Sequence, residues 1–348
     1  MPGARKRARR NACVFLSLPA KILQNAGAST WKGGRAVVQR RVSGRIVVSG
    51  GTGYVGRGLV PRLAGAGREV VVLTRSGRLP PGLAQLPGVS ALAWDASPPE
   101  AILKVVDGSE AVVHLAGEQA VGVRFTDARK KRILDSRVKS AEALVAAIEK
   151  STVRPGVLVS ASGVGYYGAH PPNEACDETT PPGDDFLARV CVEWEAAARG
   201  AERLGVRVAI ARLAPVLGPG DGALSQMAMP FRWFVGGPLG DGQQAFAWVH
   251  LEDAVAALER CVVDRELSGP VNVVAPNVVT QREMARAIGR ALHRPAWLPA
   301  PSFALKLLFG EGATPMLTGQ RAVPKRLEER GFRFLHPQVD DALAASLG

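Results

Sequence analysis

The sequence predicts an α/β fold with a doubly wound parallel sheet, helices on both faces, and a small, discontinuous C-terminal α+β lobe. Three observations carry this. From Gly44 onward, short runs rich in Val, Ile and Leu alternate with segments of helical period. The first such run leads through a glycine turn into a helix start. After Arg212 the alternation gives way to Gly- and Pro-rich stretches, which shape clefts more often than they build sheets.

In chain order, Arg45–Ser49, Glu69–Thr74, Val89–Trp94, Ala111–Leu115, Val157–Ser160 and Arg207–Arg212 read as short buried strands. Val55–Ala66, Asp127–Lys150 and Phe186–Leu204 read as the clearest helices between them, and this alternation implies right-handed crossovers. The stretch Leu217-Gly-Pro-Gly-Asp-Gly222, the apolar segment Met227–Val235 and Gly236-Gly-Pro238 follow. Phe246–His250 and Val271–Val274 look like returns to the sheet, separated by a helix near Leu251–Val263. Thr280–Leu292 reads as a helix with Thr280 as N-cap and Glu283 three residues on, the pattern of a capping box. Pro295, Pro299 and Pro301 mark a linker to a helix at Phe303–Leu308. The expected division is a first domain at 45–220, its sheet completed by about 244–275, and a substrate or lid lobe from 221–243 and 276–348.

The net charge of +13 is concentrated at one end. Residues 1–45 hold eleven Lys and Arg and no acid, the first acidic residue being Glu69, so the body carries only about +2. A nearly neutral body excludes a charge-driven nucleic-acid groove. Residues 1–44 are Arg-rich, acid-free and contain Ser and Thr, as organelle transit peptides do; removal in a plastid is expected, with the mitochondrion as second choice. The apolar run Val14–Leu18 is far shorter than the ~20 residues a membrane span needs. A basic tail that stays attached is the plain alternative. Cys13, Cys176, Cys191 and Cys261 have no metal-ligand spacing, and no metal is expected.

The segment Ile46–Arg57 is a strand, a glycine turn and a helix start. Gly50 permits the tight turn, Gly53 lets the backbone approach a pyrophosphate, and Gly56 lets helix and strand pack closely. With Gly51, Thr52, Tyr54 and Val55, these residues form the expected phosphate-binding element of a dinucleotide-binding Rossmann domain. The second strand ends in Thr74 and Arg75, nineteen residues beyond Gly56. An acid there binds a ribose 2′-hydroxyl, whereas a guanidinium clamps a 2′-phosphate, so NADP(H) is expected rather than NAD. Ser76 and Arg78 add donors. A solvated loop arginine is the alternative for Arg75. Asp95, after the third strand, is a candidate acceptor for the adenine amine or a turn residue. Leu115, Ala116 and Gly117, ending the fourth strand, are expected to line the dinucleotide, and Arg137 on the next helix to reach its phosphates or the substrate. Each has a plain structural alternative, a strand running into a turn and one more charge on a solvated face.

The motifs Gly-Gly-Thr-Gly-Tyr-Val-Gly56, His-Leu-Ala-Gly-Glu118 and Val-Ser-Ala-Ser-Gly-Val-Gly-Tyr-Tyr-Gly168 resemble the NAD-dependent epimerase/dehydratase group of extended short-chain dehydrogenases/reductases. Phe246-Ala-Trp-Val-His-Leu-Glu-Asp253, Gly269-Pro-Val-Asn-Val-Val-Ala-Pro276 and Gly319-Gln-Arg-Ala-Val-Pro-Lys-Arg326 look like its atypical members, including bacterial cell-division-inhibitor-like and plant giant-chloroplast types. The resemblance runs from Arg45 to the C-terminus and implies an NADP-binding Rossmann domain with a small C-terminal lobe. It supplies no physiological substrate. Ordinary members use a Ser with a Tyr-x-x-x-Lys pair, the Lys lowering the Tyr pKa for proton exchange. Ser162 matches the Ser, but Phe186 and Val190 stand where Tyr and Lys should be. Tyr167, beside Tyr166, is the candidate substitute, ahead of His250 and Glu118; packing of both rings is the alternative.

Two readings follow from these residues. One is an NADP(H)-dependent oxidoreductase or epimerase with a degenerate site, acting on an unidentified small molecule. The other is a weakly active or inactive NADPH-binding regulator, in plastid division for example.

Overall fold

The computed structural model describes residues 44–348, so the expected transit segment, apart from Gly44, lies outside the described residues. Seven strands form the central sheet: β1 (Arg45–Ser49), β2 (Glu69–Thr74), β3 (Val89–Ala93), β4 (Ala111–His114), β5 (Val157–Gly163), β6 (Arg207–Leu213) and β7 (Gly269–Val273). Their spatial order is β3-β2-β1-β4-β5-β6-β7. Every pairing is parallel. Chain order reverses at β1, which has β2 on one side and β4 on the other, and such a reversal opens a crevice beyond the carboxyl ends of the strands. Because Ser49 pairs with Leu73 and with His114, the ends of β1, β2 and β4 lie level at that crevice.

Helices cover both faces, as strands buried on both sides require. On one face Ile46 and Val48 pack with Leu59 and Leu63 of α1 (Tyr54–Gly65) and with Leu258 of a later helix, Leu251–Val263. On the other, Val47 and Val112 pack with Ile102 of α2 (Glu100–Val106) and with Leu144 and Ile148 of α3 (Asp127–Lys150). The next helix, α4 (Phe186–Arg199), lies along α3 and adds Ala198 to that face. The alternation of Ile46, Val47 and Val48 between the two cores is the period-2 pattern of a doubly covered strand.

A third apolar core joins α5 (Ala223–Arg232), α7 (Gln281–Leu292) and α9 (Val339–Leu347) around Trp248, Phe231, Met284 and Leu343. The helix before α7 is α6 (Leu251–Val263), and α8 (Ser302–Phe309) precedes the C-terminal segment. At the start of α7, Thr280 and Glu283 form the anticipated capping box.

Most bounds shift by only one or two residues, and three differences from the sequence reading go further. β5 continues through Ala161, Ser162 and Gly163, which pair with Ala211, Arg212 and Leu213 of β6; pairing supplies what these small residues lack in strand propensity. Phe246–His250 does not rejoin the sheet. Ala245–Phe246 pairs with Val279–Thr280 and Val249–His250 with Val216–Leu217, because the buried Trp248 between them anchors in the third core and donates to the Asn277 carbonyl. α4 stops at Arg199, where Gly200 follows and a 3₁₀ turn at Glu202–Leu204 ends in left-handed Gly205.

Candidate functional site

The glycine turn sits at the crevice over the end of β1. Gly50 has φ +73°, and a Cβ there would lie 2.7 Å from the Ala116 amide nitrogen, so the turn needs both a left-handed conformation and a bare backbone. A Cβ on Gly56 would fall 2.5 Å from the Gly50 carbonyl oxygen and the Gly51 Cα. Gly53 is different: exposed at the crest beside Thr52, it would bring a Cβ no nearer than 3.2 Å to the Gly50 oxygen. Gly51 is buried against Val72, and Val55 packs on the first core. The first turn of α1 carries no acid and no capping side chain, leaving its amides and partial positive charge facing the crevice. Tyr54 turns its side chain away; its hydroxyl donates to the Pro219 carbonyl, and burial pushes its pKa to about 12.

Around this turn the other expected cofactor residues fall in two groups. Leu115, Ala116 and Gly117 leave the end of β4 directly beside Gly50. Arg137 passes so close to Gly117 that a Cβ there would lie 3.1 Å from its Cζ. The Arg137 guanidinium donates to the Ile133 carbonyl and lies over the Trp194 ring, 5.1 Å from its centroid. Burial lowers its pKa. Thr74 ends β2 with its Oγ1 buried and without a partner among the described residues, and Arg75, Ser76 and Arg78 are exposed on the turn that follows. Asp95 lies farther along, exposed, at an open cavity of about 660 Å³ that it shares with Glu118, Arg132 and Ser136.

Ser162 lies in a buried polar chain that the sequence reading did not foresee. Its hydroxyl donates to Glu195 Oε1 at 2.7 Å, and Glu195 is clamped by Arg212 through two 2.9 Å bonds. Arg212 also donates to the Tyr167 hydroxyl at 3.1 Å, and that hydroxyl donates to Asn272 Oδ1 at 2.6 Å. Burial works against the Arg212 charge, but the bonds and attraction of Glu195 outweigh it and raise its pKa. Tyr167 is fully enclosed, and burial pushes its pKa to about 12. With both bonds of its hydroxyl engaged, Tyr167 anchors the chain rather than presenting a phenol to the crevice, which corrects its candidacy as the proton-exchanging residue. Tyr166 is half-buried with the Arg212 guanidinium 3.4 Å over its ring. Register explains the assembly, since Ser162 and Arg212 are cross-strand partners in β5 and β6. The signal in the sequence was an acid, Glu195, on the otherwise apolar face of α4 formed by Ala188, Cys191, Trp194 and Ala198.

The other proposed substitutes are committed elsewhere. Glu118 pairs with Arg129 and Arg132 on α3. His250 caps α6, its Nδ1 accepting from the Glu252 amide. At the positions of the missing pair, Phe186 packs edge-on against Phe125 at 5.1 Å, and Val190 is buried.

Comparison with known proteins agrees with this architecture. Residues 46–275 match the NAD dependent epimerase/dehydratase family, and residues 300–346 match a domain of unknown function, DUF1731. A chloroplastic SDR39U1 homolog of Arabidopsis thaliana, described as an epimerase family protein, is 42% identical over 308 residues, 86% of each chain. The epimerase family protein YfhF of Bacillus subtilis is 34% identical, covering 86% of this chain and 96% of its own. Human epimerase family protein SDR39U1 (isoform 2), crystallised with NADPH, superposes with a TM-score of 0.75 at 32% identity, covering 86% of this chain and 98% of its own. The chain belongs to the NAD dependent epimerase/dehydratase family.

Proposed function

We propose that the chain binds NADP(H) and acts as an oxidoreductase or epimerase on a small molecule, through a site that has lost its Tyr-x-x-x-Lys pair. The observation that carries the reading is the turn Gly50–Gly56, which leaves no room for side chains where it meets β4 and α1, together with Arg75 exposed at the end of β2. Binding of NADPH by the human relative supports it. In this reading Gly51, Thr52, Tyr54, Val55 and Gly56 offer backbone amides to the pyrophosphate, while Gly53, its own amide closing the turn on the Gly50 carbonyl, lets the backbone come close. The orphaned Thr74 Oγ1 and the Arg75 guanidinium receive the adenosine ribose and its 2′-phosphate, and Asp95 the adenine. Leu115, Ala116, Gly117 and Arg137 line the remainder, with residues 45–220 as the cofactor domain and 221–243 and 276–348 as the lobe over the substrate.

When bound, the cofactor supplies or accepts a hydride. The Ser162 hydroxyl donates its hydrogen bond to Glu195, so toward the crevice it presents lone pairs: it accepts from a substrate hydroxyl more readily than it donates to a carbonyl. Glu195, fixed by Arg212, positions Ser162 without touching substrate. With Tyr167 held by Arg212 and Asn272, and with Phe186 and Val190 in place of the Tyr and Lys, loss of general acid–base help lowers turnover by roughly 10²–10⁴.

NADPH is expected to bind much more tightly than NADH in a fluorescence titration, with Arg75→Asp erasing the difference; equal affinities in the unmodified protein would sink the assignment. A screen of carbonyl and alcohol substrates, read by NADPH oxidation or NADP reduction, is expected to show slow turnover that Ser162→Ala abolishes. Turnover indifferent to Ser162→Ala would remove that residue from the mechanism. A second reading, the NADPH-binding regulator without turnover, with plastid division as one setting, is favoured by the apolar Phe186 and Val190. It predicts that every substrate fails while binding persists. For location, residues 1–44 are read as a plastid leader, supported by the chloroplastic Arabidopsis relative; a reporter fused to them that stays cytosolic would refute it.

A further inference from the structure

At the start of α6, His250 and Glu252 are met by His336, 84 residues beyond Glu252 in the chain. His250 is 3% exposed; its Nδ1 is engaged by the Glu252 amide at 3.3 Å, and its Nε2 has no hydrogen-bond partner among the described residues. His336, from the C-terminal segment, tilts over it with ring centroids 3.9 Å apart. The His336 Nε2 lies 3.1 Å from Glu252 Oε2. One ligand atom from each of His250, Glu252 and His336 lies within 4.8 Å of the other two.

We propose that His250, Glu252 and His336 form a binding site for a divalent transition-metal ion of the zinc class, joining the C-terminal segment to the first turn of α6. Two imidazoles and one carboxylate are the donor set such ions prefer, at about 2.0–2.2 Å from the metal. Ligand atoms around a tetrahedral ion of that size are roughly 3.4 Å apart, so the cluster needs to close by little more than an ångström. Glu252 is mostly exposed and free to make that adjustment, and it leaves a fourth position open to water. The frame behind the ligands is rigid. The buried Asp253 carboxylate accepts from the Leu335 and His336 amides at 2.7 and 3.0 Å, locking the backbone of one ligand to the helix that carries another. A helix N-terminus disfavours a cation, but Glu252 and Asp253 in the first turn reverse the local sign.

The test uses the whole chain, stripped with a chelator and titrated with Co²⁺ in visible absorption and with Zn²⁺ by calorimetry. One equivalent is expected, with the d–d bands of a low-coordinate nitrogen–oxygen site and a rise in melting temperature. His336→Ala and Glu252→Ala should each weaken binding by at least about tenfold, with unchanged circular dichroism. Absence of saturable binding overturns the proposal and leaves a hydrogen-bonded His–Glu cluster. So does binding that survives His336→Ala, or a thiolate charge-transfer band, which would assign the metal to cysteine.

Discussion

His114 lies fully buried between two hydroxyls, its Nδ1 2.7 Å from Ser49 Oγ and its Nε2 3.1 Å from Ser140 Oγ, with the edge of Trp194 against it. Burial lowers its pKa from 6.5 to about 4. The unfolded chain therefore takes up a proton that the folded one refuses between these values, so the histidine's contribution is complete above about pH 6.5 and is lost as pH falls toward 4. The span corresponds to roughly 3 kcal/mol at most. Urea midpoints should fall from pH 7 to pH 5, with a shallower fall in His114→Gln; identical slopes in the two proteins would contradict the assignment. Glu195 and Arg212 make the opposite case at the same scale. Two charges buried together stand only because each satisfies the other, so their benefit lies in fixing Ser162 and Tyr167 more than in stability.

At the scale of elements, the glycine turn separates folding from binding. Gly56→Ala forces a Cβ to within 2.5 Å of backbone atoms and should destabilise the protein outright. Gly53→Ala meets only the Gly50 oxygen at 3.2 Å and should leave a folded protein whose affinity for NADPH has dropped by tenfold or more, by about 1.4 kcal/mol or above. Undiminished NADPH binding by Gly53→Ala would show that the crest of the turn does not approach a phosphate. Strands and helices with strong local periodicity were legible in advance: β1, β2, α3 and α6 have the bounds their apolar patterns indicated. The end of β5 was not, because Ala161-Ser-Gly163 carries no strand signal and extends only through its pairing with β6. Nor was the fate of Phe246–His250, where one tryptophan seated in a distant core decides the pairing of its neighbours.

Across the whole molecule, the C-terminal segment holds distant parts of the chain together. Arg321–Ala322 pairs with Ala175–Cys176, the Val323 carbonyl accepts from Asn272, the Arg326 amide donates to Glu178, and Leu335 and His336 donate to Asp253. Removing residues 301–348 would leave Glu178, Asp253 and Asn272 with lost partners at buried positions, each unsatisfied group costing about 1–3 kcal/mol. The truncated chain is expected to lose its cooperative calorimetric transition. A sharp transition at the original temperature would show the segment to be an independent appendage.

The sequence by itself determined the doubly wound sheet, the glycine turn at its first crossover and the capping of α7, since the turn and the cap rest on residues close in the chain and the class of sheet on the alternation of strand and helix periods. It also exposed the missing Tyr and Lys at Phe186 and Val190. Tertiary structure alone decided what surrounds Ser162, because Glu195 is 33 residues away and its partner Arg212 arrives through the register of another strand. It alone gave Tyr167 to Asn272, 105 residues on, and brought His336 to within reach of Glu252, 84 residues back. Such neighbours are fixed by strand register and helix packing, which no local pattern encodes.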